Sequence, residues 1–224
     1  MKAFIIFRDR VTYTTLCCQA LIAAGLDVVI VDQGTSYKPA VAWLDALEAH
    51  GGVQVLRKGG GHPRQLWDWA PFLSMIGSDR YVVTDCDVVP SEDCPLDWPD
   101  RLSGLLDEYP DYDKAGLGLR LDRIPETYQR RDHVLAWEQK FWDEPVTENV
   151  YRAPVDTTLA LYRPWTERPV FTLNAMRTGY PYVADHVSWY EDYRVLDKEL
   201  RWYHEHAEPG ISHWTVEGRS VWGT

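Results

Sequence analysis

The segment "YVVTDCDVVP", residues 81–90, places two aspartates one residue apart at the end of an apolar, β-branched run. Tyr81 to Thr84 reads as a buried strand. Two carboxylates this close repel each other, and burying them is costly unless a positive partner is at hand. On a strand, residues two apart point the same way, so Asp85 and Asp87 are expected to aim at one point. Oxygen donors suit Mg²⁺ or Mn²⁺, which keep positions open for phosphate oxygens and water. A metal ion held there would neutralise a diphosphate and help it leave.

Three more apolar runs precede this one: "AFIIF" (3–7), "DVVIV" (27–31) and "VQVL" (53–56). Helical patterns separate them. Cys17, Ala20, Leu21 and Ala24 share one face, and Gly25 ends that helix. Pro39 opens a second helix that runs to about Ala49 and closes at Gly51 and Gly52. "RKGGGHPRQ" (57–65) is a basic, glycine-rich loop, and Pro63 opens the next helix. This alternation predicts an α/β fold with a mostly parallel sheet flanked by helices. Ligands of such sheets sit at the carboxyl ends of the strands. Arg8, Asp32, the loop with His62 and Arg64, and the Asp85–Asp87 pair all fall at those ends.

The second half is less regular. Residues 99–109 and 131–142 are expected to be helical, and 114–121 and 157–162 to be strands. Trp189, Tyr193, Leu196, Leu200 and Tyr203 alternate steps of four and three, which predicts one amphipathic helix over 189–206. Glu208-Pro209-Gly210 would stop it. No internal repeat, linker or low-complexity tract stands out.

The 224 residues, 45% of them hydrophobic, suffice for one sizeable core, and one domain over 1–224 is expected. A net charge of −11 disfavours nucleic acid as a partner, because that needs a basic face. The N-terminal apolar run is cut by Arg8 and Asp9, too early for a signal peptide. Gly25 and Asp27 interrupt the longest apolar stretch, so no membrane span is expected. Cys17, Cys18, Cys86 and Cys94 lack metal-ligand spacing and read as reduced thiols, in keeping with a cytoplasmic setting. Eleven tryptophans and thirteen tyrosines hint at stacking on sugars, although core packing accounts for most of them.

An apolar strand ending in Asp-x-Asp, after a nucleotide-binding α/β half, resembles the metal-dependent glycosyltransferases of the GT-A fold. "VDQGTS" resembles that family's stretch after the second strand, where an aspartate contacts the nucleotide base. "GGGHPRQLWDW" resembles the loop beside the nucleotide, and "PVDTTLALYR" the segment facing the donor sugar. "HVSWYEDY" and "WYHEHAEPGISHW" are similar to the C-terminal part of small bacterial and phage members. The resemblance implies a nucleotide-binding half over 1–90 and a sugar and acceptor half over 91–224. It implies a nucleotide diphosphate sugar donor, uridine by preference, and a glycan, protein or small-molecule hydroxyl acceptor in a hexosyltransferase-like reaction. Asp32 would contact the base. Arg8, His62, Arg64 and Asp85 would hold the nucleotide and its diphosphate. Asp85 and Asp87 would hold Mn²⁺ or Mg²⁺. Such enzymes often complete the metal shell from the C-terminal part, which points to His186 in a loop before the predicted long helix. No acidic pair of the family 2 kind stands out, so retention and inversion both stay open.

Each residue also has a plainer reading. Asp32 suits a turn in Asp-x-Gly, and Arg8 and Arg64 suit a solvated surface. Asp156 either caps a turn, accepts the proton of an acceptor hydroxyl, or binds a donor-sugar hydroxyl. His204 and His206 face apart on a helix and suit its negative end better than a metal; His62 and His213 allow no finer reading. Two rival functions remain. "DCDVV" fits the nucleophile motif of a haloacid-dehalogenase-type phosphatase, with Asp85 attacking, although that motif usually lies on an early strand. A non-catalytic carbohydrate-binding module would keep the sheet without the chemistry.

Overall fold

The computed structural model describes residues 1–164 and 174–206. The predicted stop at 208–210 and His213 lie outside the described residues. The first half follows the expected alternation: β1 (Lys2–Phe7), α1 (Val11–Ala23), β2 (Asp27–Asp32), α2 (Lys38–His50) and β3 (Gln54–Arg57). A 3₁₀ turn (Pro63–Asp68), α3 (Ala70–Ile76) and β4 (Tyr81–Asp85) complete it. Pro63 therefore opens a 3₁₀ turn, and the α-helix starts seven residues later. Gly25 (φ 77°) and Gly51 (φ 72°) end their helices in the left-handed region that L side chains rarely adopt.

β3, β2, β1 and β4 lie side by side, all parallel. Their side chains alternate between two packed faces, as the period of a strand requires. Ala3, Ile5 and Phe7 of β1 join Val28 and Ile30 of β2 on the face covered by α1 and α2. Phe4, Ile6, Val29 and Val31 join Phe72 and Ile76 of α3 on the other. Each valine, isoleucine or phenylalanine among them, fully buried, contributes about 1.5–3 kcal/mol of transfer free energy, which is why these runs are apolar at every position rather than at alternate ones.

The sheet continues into the second half through β5 (Val88–Pro90), β6 (Lys114–Leu119), β7 (Pro145–Thr147), β8 (Val150–Arg152), β9 (Ala160–Tyr162) and β10 (Ala175–His186). β9 is antiparallel to both β4 and β6, while β10 runs parallel to β6 and antiparallel to β5 and β8. The sheet is thus parallel in its first half and mixed in its second. Two further helices flank it, α4 (Trp98–Glu108) and α5 (Arg131–Glu138).

Three local expectations are corrected. Residues 189–206 are not one helix: a 3₁₀ turn covers Val187–Tyr190, and α6 is confined to Lys198–His206. The Asp192 carboxylate accepts from the Arg194 backbone N–H at 3.0 Å and Asp197 from that of Leu200 at 2.8 Å. These local bonds compete with the helix between them and restart it. His186 does not sit in a loop; it is the last residue of β10 and is buried. Strand β4 ends at Asp85, so Cys86 and Asp87 form the turn into β5 and the two-residue alternation stops one carboxylate early.

Candidate active site

The carboxyl ends of β1, β2 and β4 open into a cavity of about 420 Å³, closed on the far side by the segment before β9 and by the C-terminal elements. Arg8, His62, Arg64, Asp85, Asp87, Asp156 and His186 all line it, although they lie far apart in sequence. Asp32 does not line it. Its Oδ1 accepts from the backbone N–H groups of Gly34 (3.1 Å) and Thr35 (2.8 Å), and its Oδ2 lies 3.7 Å from Arg57.

The wall at the end of β2 is built from Asp9, Arg8 and Gln33. Asp9 adopts φ 61°, and its carboxylate accepts from the N–H groups of Ser36 (2.7 Å) and Tyr37 (2.8 Å), which ties β1 to the start of α2. Arg8 donates from Nε (2.9 Å) and Nη2 (2.7 Å) to the Gln33 carbonyl. Gln33 is 2% exposed, and among the described residues neither its Nε2 nor its Oε1 has a hydrogen-bond partner. A buried amide with both ends unpaired costs free energy, which a ligand offering one donor and one acceptor would recover. The glycine-rich loop passes close by: a Cβ on Gly34 would meet the Gly60 nitrogen at 2.9 Å, so only glycine fits there. His62 Nδ1 accepts from the Arg64 N–H at 3.1 Å, which starts the 3₁₀ turn.

In the middle stand the two aspartates. Burial, and then the charge of Asp87, push the Asp85 carboxyl up to about 7, against a 2.8 Å hydrogen bond from Thr157 Oγ1. Burial would raise Asp87 as well. The Arg10 guanidinium, with Nη1 2.7 Å from Asp87 Oδ2, overcomes that with help from His186 and Ser188, and holds it well below the usual carboxylate range. His186 Nδ1 lies 3.6 Å from the same oxygen and 2.8 Å from Ser188 Oγ, and its ring stacks on Trp189 at 4.5 Å. Burial keeps this imidazole below its usual value, against the opposing charge of Asp87. Cys86, between the aspartates, is buried and pushed up to about 12, so its thiol stays protonated and inert.

Asp85 and Asp87 offer the hard oxygen donors that a divalent cation takes, and a cation held between them would offset the burial and the mutual repulsion that raise Asp85. That chemistry fits Mg²⁺ or Mn²⁺ completed by phosphate oxygens and water. Among the described residues, no three His, Cys, Asp or Glu side chains already form a cage for an ion.

Sequence reasoning passed over several groups that the fold brings to the cavity. Arg10 lies two residues after Arg8, and Gln33 lies inside "VDQGTS", next to Asp32. Thr157 follows Asp156 and ties the second half of the chain to Asp85. Glu191 is buried and accepts from Tyr13 Oη (3.0 Å) and His204 Nε2 (2.8 Å). Arg177, also buried, pairs with Glu138 at 2.9 Å. The one available signal was adjacency to a strand end. No local pattern announces the Arg177–Glu138 pair, which joins residues 39 positions apart.

No protein-family model matches the chain, and no curated protein matches it in sequence. Solved structures do resemble it in shape. GalNAc-T7 with UDP, GalNAc and Mn²⁺ matches at a TM-score of 0.51 and 10% identity, over 82% of this chain and 42% of its own. The mannosyltransferase PcManGT from Pyrobaculum calidifontis, solved with GDP-Man and Mn²⁺, matches at 0.49 and 13% identity, over 91% of this chain and 59% of its own. S. aureus TarS 1-349 matches at 0.48 and 12%, over 83% and 60%. This chain therefore spans six tenths or less of the length of these three structures, and the likeness is one of fold. No helix among the described residues is long and apolar enough to cross a membrane.

Proposed function

We propose that this chain, which has the GT-A fold, is a metal-dependent glycosyltransferase that moves a sugar from a nucleoside diphosphate donor, uridine by preference, to a hydroxyl acceptor. The observation that carries this reading is the order of groups along one cavity. The sheet order β2-β1-β4-β9 sets the unpaired Gln33 amide first, then Arg8 and Arg10, then Asp85 and Asp87, then Asp156 just before β9. A base, a diphosphate and a sugar follow one another in that sequence. Asp85 and Asp87 would hold the divalent cation, which supplies positive charge to the leaving diphosphate. Arg8 and Arg64 carry guanidiniums suited to phosphate oxygens. Asp156, which lines the same cavity, would take the proton of the attacking hydroxyl as its oxygen bonds to the anomeric carbon and the diphosphate leaves with the bonding electrons.

Two findings disfavour the phosphatase reading. The aspartate pair follows the fourth strand rather than an early one. Asp85, its would-be nucleophile, is pushed up to about 7 and already accepts from Thr157. An aryl phosphate should therefore release no phosphate in the presence of Mg²⁺. A protein that splits it would return that reading, and one that binds sugar but no nucleotide would return the binding module.

The base preference has its own test. Gln33 offers Nε2–H to a carbonyl and Oε1 to an imide N–H, the two-point edge of uracil. Guanine presents the same pair plus an amino group that needs another acceptor, and the Asp32 carboxylate beside it is engaged by its turn and by Arg57. Competition calorimetry should show UDP binding more tightly than GDP, and Gln33→Leu should weaken UDP about tenfold, in line with the loss of paired buried hydrogen bonds. GDP preference, or an unchanged Gln33→Leu, refutes it.

His186 gives a metal-specific prediction. A neutral imidazole suits Mn²⁺ better than Mg²⁺. If His186 turns to the ion, His186→Ala should lose more UDP affinity in Mn²⁺ than in Mg²⁺. Equal losses would reassign it to the diphosphate, and no loss would remove it from the site.

A further inference from the structure

Arg10 already sits where a cation is needed. Its backbone is anchored next to Asp9, whose carboxylate is bonded to Ser36 and Tyr37. Its Nη1 donates to Asp87 Oδ2 at 2.7 Å, with the two side chains 12% and 5% exposed. The guanidinium lies over the Tyr203 ring of α6 at 4.3 Å and nearer its own helix over Tyr13 at 5.9 Å. Its Nε is buried and has no hydrogen-bond partner among the described residues. Asp85, Cys86, His186 and Tyr193 also feel its charge, and Glu191 lies beyond Tyr13, which it accepts from. Glu191 is taken up by Tyr13 and His204, which leaves Asp87 as the ion-pair partner of Arg10 among the described residues.

Arg10 holds Asp87 Oδ2 at 2.7 Å, and a divalent ion on that same oxygen would face the guanidinium charge at close range in a low-dielectric site, where like charges repel strongly. Removing the partner of a buried ion pair is costly unless a new one replaces it. We propose that Arg10 and the divalent ion are alternative partners of Asp87. In the ligand-free protein Arg10 neutralises the carboxylate. When the ion takes Asp87, the guanidinium is released and turns its planar fork, with the unpartnered Nε–H, to the diphosphate. Metal and diphosphate then bind cooperatively, because the diphosphate accepts the cation that the metal displaces. The second half of this proposal rests on the nucleotide-sugar reading; the competition at Asp87 does not.

The test is Mn²⁺ binding, followed by electron paramagnetic resonance of the free ion, for the wild type and Arg10→Gln, each with and without UDP. Without UDP, Arg10→Gln is expected to bind Mn²⁺ about tenfold more tightly than the wild type, and the gain in Mn²⁺ affinity on adding UDP is expected to shrink about tenfold, within the usual range of coupling between sites. Mn²⁺ binding no tighter in Arg10→Gln overturns the proposal. Should that variant fail to fold, the Nε–Hε resonance of Arg10 in the ¹⁵N-labelled wild type decides it. The signal is expected to move on saturation with Mg²⁺, and an unmoved signal overturns the proposal. A wild type that binds Mn²⁺ but no UDP would sink the glycosyltransferase reading alone, since the comparison of the two proteins without UDP still decides the competition.

Discussion

Asp87→Asn is expected to weaken metal-dependent binding of UDP by about a hundredfold, or ~2.7 kcal/mol, while the protein stays folded. The substitution removes the charge that a hard cation needs and keeps the volume of the side chain. It also keeps a carbonyl oxygen to accept from Arg10, 2.7 Å away in the parent. Asp87→Ala removes the acceptor too and strands a buried guanidinium, at a cost of about 3–5 kcal/mol, so it is expected to lower the melting temperature as well. Calorimetry with UDP and Mn²⁺, with circular dichroism as the control for folding, separates the two effects. Unchanged UDP affinity in Asp87→Asn, or in the wild type with excess chelator, would contradict the assignment of Asp87.

Asp156→Asn is expected to spare UDP affinity and cut turnover by about 10²–10⁴-fold, the usual contribution of a positioned general base. Asp156 is exposed at the cavity wall, two residues after Pro154 and immediately before Thr157. Its backbone carbonyl accepts from Tyr162 Oη at 3.2 Å, which fixes the chain but leaves the carboxylate towards solvent. An asparagine preserves that backbone and loses the proton acceptor. Normal turnover would return Asp156 to the turn, and a parallel loss of nucleotide affinity would make it a binding residue.

The first half of the fold was legible because its strands are buried on both faces. "AFIIF" and "DVVIV" carry no polar interruption, and Pro39, Gly25 and Gly51 mark the helix boundaries through fixed backbone requirements. β10 was not legible. It carries Gly179 and Pro181 in its interior, and it continues past them with a shift in its register against β6 between Thr178 and Val183. The 189–206 helix failed for the opposite reason. Its apolar spacing is real, but Trp189 is buried by stacking on His186, and Asp192 and Asp197 bond to their own backbone instead of extending a helix.

At the site, strand ends were the useful guide. They led to Arg8, the glycine-rich loop and the aspartate pair, which the cavity brings together. They did not distinguish neighbours: Asp32 was singled out where Gln33 lines the cavity, and Arg8 without Arg10, which lines it as well. Which of two adjacent side chains faces a cavity depends on hydrogen bonds across the turn, and those depend on segments distant in sequence.

Thermal melts of the wild type with UDP, GDP and their sugar conjugates, each with Mn²⁺ and with chelator, test the central claim most directly. Ligand at a hundred times its dissociation constant stabilises the folded state by about 2.7 kcal/mol. UDP and a UDP-sugar are expected to raise the melting temperature by several degrees in Mn²⁺ and far less in chelator. No shift with any nucleoside diphosphate, in the presence of Mn²⁺, would contradict the account.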